Sequence, residues 1–358
     1  MNSKIVCFFM LSLFFVACGK DDDDGGGGGD LSVSQALIQF SSGKDASLVK
    51  VISDKSWKAS CDADWMSLSA NSGDQSTAFL IGASPNPLFE RTAKVIISSG
   101  NATQTIEVVQ KGVSKIEFQI NGVPFTFLPV EADTTFFLQG ETYFSSRSVF
   151  LSSYFISQTE ITNAQWQAVL GSLPYVDESS KPQMPVVVNY NTIANVFLPK
   201  INALADYRFR LPTEHEWEVA AMGGMLSKQT SFAGSIYIDE VAWHYLNSEG
   251  RKHVVASKKP NELGLYDMSG NVSEWCSDWY VLWTEQAPPP STLTNPAGPT
   301  TGTLKVIKGG DFSAERFEYD RNNCRISSRN FLPPDISTEA FLYDGYNHHT
   351  GFRLIIYK

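Results

Sequence analysis

Arg210-Leu211-Pro212-Thr213-Glu214-His215-Glu216-Trp217-Glu218-Val219-Ala220-Ala221, followed by Met222-Gly223-Gly224, is the stretch from which the larger part of this chain can be read. Thr213 with Glu216 three residues later forms a capping box, in which hydroxyl and carboxylate each take an amide that a helix start leaves unpaired. A helix is therefore predicted from Glu214 through Met222. Gly223-Gly224 ends it, because glycine accepts the left-handed conformation of a helix stop. Glu214, Glu216 and Glu218 are read as capping and solvated-face residues, not as acid/base catalysts. Upstream, Asn191 to Ala205 sets Ile193, Val196, Phe197, Ile201 and Leu204 on one stripe, with a kink expected at Pro199. Earlier still, Thr162 precedes Ala164, Trp166, Val169 and Leu170, the pattern of a short Thr-capped amphipathic helix. Downstream, helical periodicity gives way to aromatic-rich turns.

At 358 residues the chain exceeds one typical domain. Apolar residues at 42% and aromatics at 12% supply real cores, which excludes wholesale disorder. Against 28 basic residues stand 38 acidic ones, a net charge of −10. Nucleic acid and anionic lipid are poor partners for such a chain, since each phosphate contact wants a cation. Five cysteines, with Cys7 and Cys18 at the N-terminus, exclude a disulfide-dense scaffold. One bridge plus one free thiol among Cys61, Cys276 and Cys324 stays open.

Residues 31–112 read as all β. Leu31-Ser32-Val33, Leu48 to Ile52 and Ala78 to Ile81 are strand-like, and Thr92 to Ile97 and Thr105 to Val109 flank the hairpin signal Ser99-Gly100-Asn101. Turn residues recur as in an immunoglobulin-like β-sandwich. Trp57, Asp64-Trp65-Met66-Ser67-Leu68-Ser69, Asn71-Ser72-Gly73, Arg91 and Val109-Gln110 together resemble a BACON domain. That resemblance implies a carbohydrate-binding or spacer role. Trp57 and Trp65 are read as core residues, and Cys61 as a small buried apolar one.

At the N-terminus, Lys4 and the apolar run Val6 to Val16 suit a secretory signal, residues 1–17, too short for a spanning helix. Phe15-Val16-Ala17-Cys18-Gly19 resembles a lipobox, which implies lipidation of Cys18 and cleavage before it. Residues 18–30, with Asp21 to Asp24 and Gly25 to Gly29, form a flexible linker. This acidic stretch resembles the surface-export signal of Bacteroidota lipoproteins. The expected location is the outer face of the outer membrane, with membrane contact through the lipid anchor alone.

Residues 114–358 carry a set of words in order: Glu160-Ile161-Thr162-Asn163, the capping-box stretch, Pro260-Asn261-Glu262-Leu263-Gly264-Leu265-Tyr266-Asp267-Met268-Ser269-Gly270-Asn271-Val272-Ser273-Glu274-Trp275, Lys308-Gly309-Gly310 and Gly351-Phe352-Arg353-Leu354. Together they resemble the formylglycine-generating enzyme (sulfatase-modifying factor) family. The resemblance implies an α+β variant of the C-type lectin fold, with Trp217, Trp275, Trp279 and Tyr266 in its core. Authentic members bind copper through two cysteines just after the Gly-Gly word; thiolates suit the soft Cu(I) ion. Ala314 and Tyr319 stand at those positions here. A related branch uses iron held by three histidines, but His215, His244, His253, His348 and His349 show no ligand spacing. Neither copper nor iron is expected. There is no Gly-x-Ser-x-Gly elbow and no Walker loop.

The family resemblance also assigns a structural Ca2+ to Asp267, Gly270, Val272 and Glu274, two carboxylates and two backbone carbonyls, the hard oxygens calcium requires. It further implies a disulfide between Cys276 and Cys324, which an oxidising exported compartment would favour. Between Asp311 and Thr350 the chain is rich in Tyr, Asn and Arg, residues of adaptable recognition surfaces. Arg316, Phe317, Tyr319, Asn322, Phe331, Tyr343, Tyr346, Asn347 and His348 are the candidate ligand contacts. The expected function is non-catalytic recognition of a glycan or of a surface or host protein. The alternatives are a scaffold in a surface complex, or a divergent enzyme or accessory of the family.

Overall fold

Alternation of inward and outward residues builds the first part of the chain. In the computed structural model, which describes residues 31–86, 88–139, 146–174, 181–283, 292–313, 324–336, 342–343, 346–347 and 349–357, the chain divides into two units. Unit one is Met1–Pro85 with Arg91–Gln110, and unit two is Asn86–Glu90 with Lys111–Lys358. The leader, Cys18 and the acidic linker lie outside the described residues. No helix among the described residues is long and apolar enough to cross a membrane.

Unit one contains β1 (Ser32–Val33), β2 (Leu37–Phe40), β3 (Asp45–Ile52), β4 (Trp57–Cys61), β5 (Met66–Leu68), β6 (Ser72–Gly73), β7 (Thr77–Ala83), β8 (Arg91–Ser99) and β9 (Ala102–Gln110). They form two sheets, β1-β3-β7-β5 and β2-β9-β8-β4-β6. Every second residue of β8 turns inward, so Ala93, Val95 and Ile97 meet Val49, Phe79 and Ile81 of the other sheet in one core. The β8–β9 hairpin turns through Gly100 at φ 57°, a left-handed conformation that glycine adopts without strain. Trp57 is buried against Phe79, ring centroids 5.3 Å apart. Trp65 is only half-buried, with the Arg91 guanidinium 4.3 Å over its ring. Cys61 is also half-buried, not enclosed as expected, because it ends its strand at the rim of the core.

Unit two adds β10 (Ile116–Ile120), β11 (Val123–Val130), β12 (Thr134–Leu138), β13 (Arg147–Leu151), β14 (Tyr154–Ser157), β15 (Arg208–Arg210), β16 (Ser273–Trp279), β17 (Thr292–Thr294), β18 (Lys305–Lys308), β19 (Asn330–Leu332), β20 (Leu342–Tyr343), β21 (Tyr346–Asn347), β22 (Thr350–Gly351) and β23 (Ile355–Tyr357). Small sheets result, among them β10-β11-β14-β23-β15 and β19-β18-β16-β22. The second brings three sequence words together: Glu274 pairs with Lys308 on one side and Gly351 on the other.

The expected Thr213–Glu216 capping box forms, and the expected Thr162 cap proves to be a capping box too, with Gln165. The stripe from Asn191 is more irregular than its pattern. A π-helical turn, Ile193–Phe197, precedes the helix Leu198–Leu204. Pro199 has no amide to donate and its ring crowds the preceding turn, so a widened turn there is the expected accommodation. Ile193, Phe197 and Ile201 are fully buried, whereas Val196 at 49% and Leu204 at 45% exposure leave the stripe. Trp217 and Trp275 are core residues; Trp279 and Tyr266 are half-buried.

The expected bridge between Cys276 and Cys324 is not formed. Cys276 packs in the cluster of Trp217, Met268 and Val306, and Cys324 in a separate one with Phe232 and Val241.

Candidate functional site

All eight residues of the helix Glu214–Ala221 are buried, so its glutamates do not face solvent. They are sheltered because each meets a cation from another element. Glu216 closes the capping box and takes two hydrogen bonds from Arg210, at 2.7 and 2.8 Å. Glu218 Oε2 accepts from Arg147 Nη2 at 3.0 Å and Lys308 Nζ at 3.2 Å. Arg329 Nε donates to Glu214 Oε2 at 2.5 Å. Burial pushes the Glu214 carboxyl up, but Arg329, His215 and Arg147 outweigh it and hold it at about 2.

Three donors converge beside this helix that the spacing of the sequence did not reveal. Glu214, His215 and Asp278 each place a ligand-type atom within 4.8 Å of the others. They do not fit a metal ion. Arg147 Nε donates to His215 Nε2 at 2.8 Å, which leaves the ring proton on Nδ1, and Arg329 occupies Glu214. Burial keeps His215 neutral, its pKa lowered to about 4. The group is a node of the ion-pair network.

Asp278 accepts the Glu214 amide at Oδ2, and burial with the neighbouring Glu214 charge pushes its carboxyl up to about 7. A raised carboxyl contributes stability that is fully present below the ordinary carboxylate value and lost as pH rises through about 7. Asp278→Asn, which stays neutral, should therefore gain on wild type between pH 5.5 and 8 by about 2 kcal/mol, from the linkage relation. Denaturant titrations at the two pH values measure it, and a difference that does not change with pH would overturn it.

The turn entering β16 holds the four residues assigned to calcium. Gly270 is needed there: at φ 78° a Cβ would stand 2.3 Å from the Trp243 carbonyl oxygen. Asp267 Oδ2 accepts the Ala256 amide at 2.7 Å, and burial pushes its carboxyl up to about 6. Val272 donates its amide to Glu160 Oε1 at 3.0 Å. Glu274 decides the matter. Arg353 donates to both its oxygens, at 2.6 and 2.7 Å, and Trp217 Nε1 donates to Oε2 at 2.7 Å. A carboxylate so engaged by a buried guanidinium does not fit as a calcium ligand. Glu160, quoted in its word without a role, joins the cluster. It accepts from Asn271 Nδ2 at 2.8 Å, and burial with Asp267 and Glu274 pushes its carboxyl well above the usual range.

Of the candidate ligand contacts, Arg316, Phe317, Tyr319, Asn322 and His348 lie outside the described residues, as does Ala314. Tyr343, Tyr346 and Asn347 belong to the β20–β21 hairpin, with Tyr343 opposite Tyr346. Phe331 lies 4.3 Å from Tyr280, and Arg329 covers Tyr280 and Trp283 at 4.6 and 5.6 Å. Nearby, the Lys305 ammonium lies between Trp279 at 3.8 Å and Tyr190 at 4.4 Å, and burial lowers its pKa to about 8.

Comparison with known proteins gives a consistent result. The model of the "Sulfatase-modifying factor enzyme 1-like domain" matches residues 83–357, and that of the "Viral BACON domain" matches residues 30–113. The formylglycine-generating enzyme of Thermomonospora curvata is 33% identical over 207 residues, 54% of this chain and 61% of that enzyme. The chaperone protein LppX of Paenibacillus barcinonensis is 31% identical over 223 residues, 49% of this chain and 74% of the relative. The chain thus spans less than two thirds of the T. curvata enzyme's length. Among solved structures, Treponema denticola variable protein 1 superposes with a TM-score of 0.56 at 28% identity, covering 68% of this chain and 99% of the other. PvdO from Pseudomonas aeruginosa, at TM-score 0.51 and 20% identity, covers 68% of this chain and 98% of its own and shares the fold.

Proposed function

The chain belongs to the sulfatase-modifying factor enzyme 1-like family, preceded by a BACON domain, and from that premise we propose that it is a non-catalytic recognition module for a glycan or protein ligand. What supports this reading is the register of the family resemblance: counted from Lys308-Gly309-Gly310, Ala314 and Tyr319 fall where the resemblance would place copper-binding cysteines. Neither side chain can ligate Cu(I) or form a mixed disulfide with a substrate thiol. Cys324, five residues beyond Tyr319, is buried and does not replace them. The Tyr-, Asn- and Arg-rich stretch from Asp311 to Thr350 is then the recognition face, on a fold we read as a C-type lectin variant. A relative of this architecture is itself named a variable protein.

The test sets copper titration and oxidation of a cysteine peptide beside glycan-array, mucin and protein-binding measurements. Binding without turnover is expected. Copper uptake with peptide oxidation would make the chain a divergent enzyme of the family; co-purifying partners without ligand binding would make it a scaffold.

Cys18 anchors the module to the outer face of the outer membrane in this reading. Cys18→Ala should move the protein from the membrane fraction to the soluble one, while deletion of Asp21 to Asp24 should leave it lipidated but protected from protease in intact cells. Membrane retention of the alanine variant would remove the anchor.

A further inference from the structure

A cleft of about 730 Å3 opens beside the buried helix. Three segments build it: the end of β12 with Phe137 and Gln139, the loop after the helix with Ser227 to Ser231, and the turn Arg325 to Ser327. The last two are tied by the Ile326 amide donating to the Ser231 carbonyl at 3.1 Å. Gln229 is held at φ 58°, its amide donating to Ser227 Oγ. The lining is mostly polar, and among the described residues the side chains of Gln139, Gln229, Ser231 and Ser327 make no hydrogen bond within the protein.

Glu218 lies at the floor, almost wholly buried. Arg147 and Lys308 both take its Oε2, and among the described residues no donor meets Oε1. At the rim Phe137 is 65% exposed, a flat apolar platform beside the polar groups. Arg325 stands over the Phe232 ring at 5.5 Å.

From this arrangement we infer that the cleft binds a neutral carbohydrate, one to a few sugar residues long. The volume lies within the roughly 300–1,000 Å3 of small-molecule sites, yet the walls lack the apolar lining usual there. The two charged residues of the lining, Glu218 and Arg325, are of opposite sign, so a free cation would face Arg325 and an anion would face Glu218. A polyhydroxylated neutral ligand meets neither penalty. Each hydroxyl both donates and accepts, so one can donate to Glu218 Oε1 while accepting from a Gln139 or Gln229 amide. The apolar face of a sugar ring covers Phe137.

The inference rests on the recognition reading and narrows its ligand class, so its test separates the two. Saturation-transfer NMR titrations of the full chain would use methyl β-galactoside, methyl α-mannoside and N-acetylglucosamine as neutral probes, with N-acetylneuraminic acid as the anionic one. At least one neutral probe should receive transfer to its ring protons. Phe137→Ala and Gln229→Ala, both at exposed positions, should each weaken it about tenfold or more. Phe137→Tyr should retain binding, and Ile236→Ser, remote in role, should change nothing. Binding untouched by both cleft substitutions would overturn the site while leaving glycan recognition standing. Preference for the acidic sugar would overturn the neutral class. Silence from every sugar would overturn the inference, and the recognition reading would fall with it only if mucin and protein ligands were silent as well.

Discussion

Arg353→Met should destabilise the second unit by about 3–5 kcal/mol or more, the cost of stranding buried charge. One guanidinium here serves three buried carboxylates: it bonds Glu274 directly, and its charge draws on Glu160 and Asp267. It also donates to the Ser157 and Tyr266 carbonyls, tying β14 and the Asp267 turn to the C-terminal strand. Without it, buried carboxylates must take up protons or drag the turn open. Thermal unfolding followed by near-UV circular dichroism should show the loss. The double variant Arg353→Met, Glu274→Leu should recover part of it, because an apolar pair of similar volume carries no unpaired charge. The same geometry sets an expectation for calcium: wild-type melting should be equal in EDTA and in excess Ca2+. A clear rise with calcium would show that Glu274 exchanges Arg353 for the metal.

Glu218→Ala should cost about as much, again about 3–5 kcal/mol, and for the mirror-image reason. Its single carboxylate holds Arg147 and Lys308, both nearly inaccessible to water. Truncation leaves two buried cations facing a neutral His215 that already accepts from Arg147. Glu218→Gln keeps the shape but not the charge, so it should rescue little. Adding Lys308→Met to Glu218→Gln should restore part of the loss. Urea titrations of the single and double variants test this, and additive effects of the two substitutions would show that the charges are not coupled.

Much of the architecture was legible because its causes are local. A capping box lies within four residues, a hairpin within a short turn, and strand alternation within a single strand; each is decided by sterics and hydrogen bonding between near neighbours. Thr162, Thr213, Gly100 and the β8–β9 pair were readable for that reason. The ordered words also sufficed to place the family, though not the use made of their residues.

What the tertiary structure alone decided are pairings between distant positions. Arg353 and Glu274 are 79 residues apart, and Lys308 and Glu218 are 90 apart. No periodicity encodes such a pair, so the family resemblance made Glu274 a calcium ligand and the helix glutamates read as solvent-facing. Whether a carboxylate is a ligand, a surface charge or half of a buried ion pair depends on which cation another strand delivers. Cys276 and Cys324 likewise end in separate cores, each thiol enclosed by its own apolar neighbours. Sequence determines which groups can ionise or coordinate; only the fold determines which partner reaches them and how much water remains.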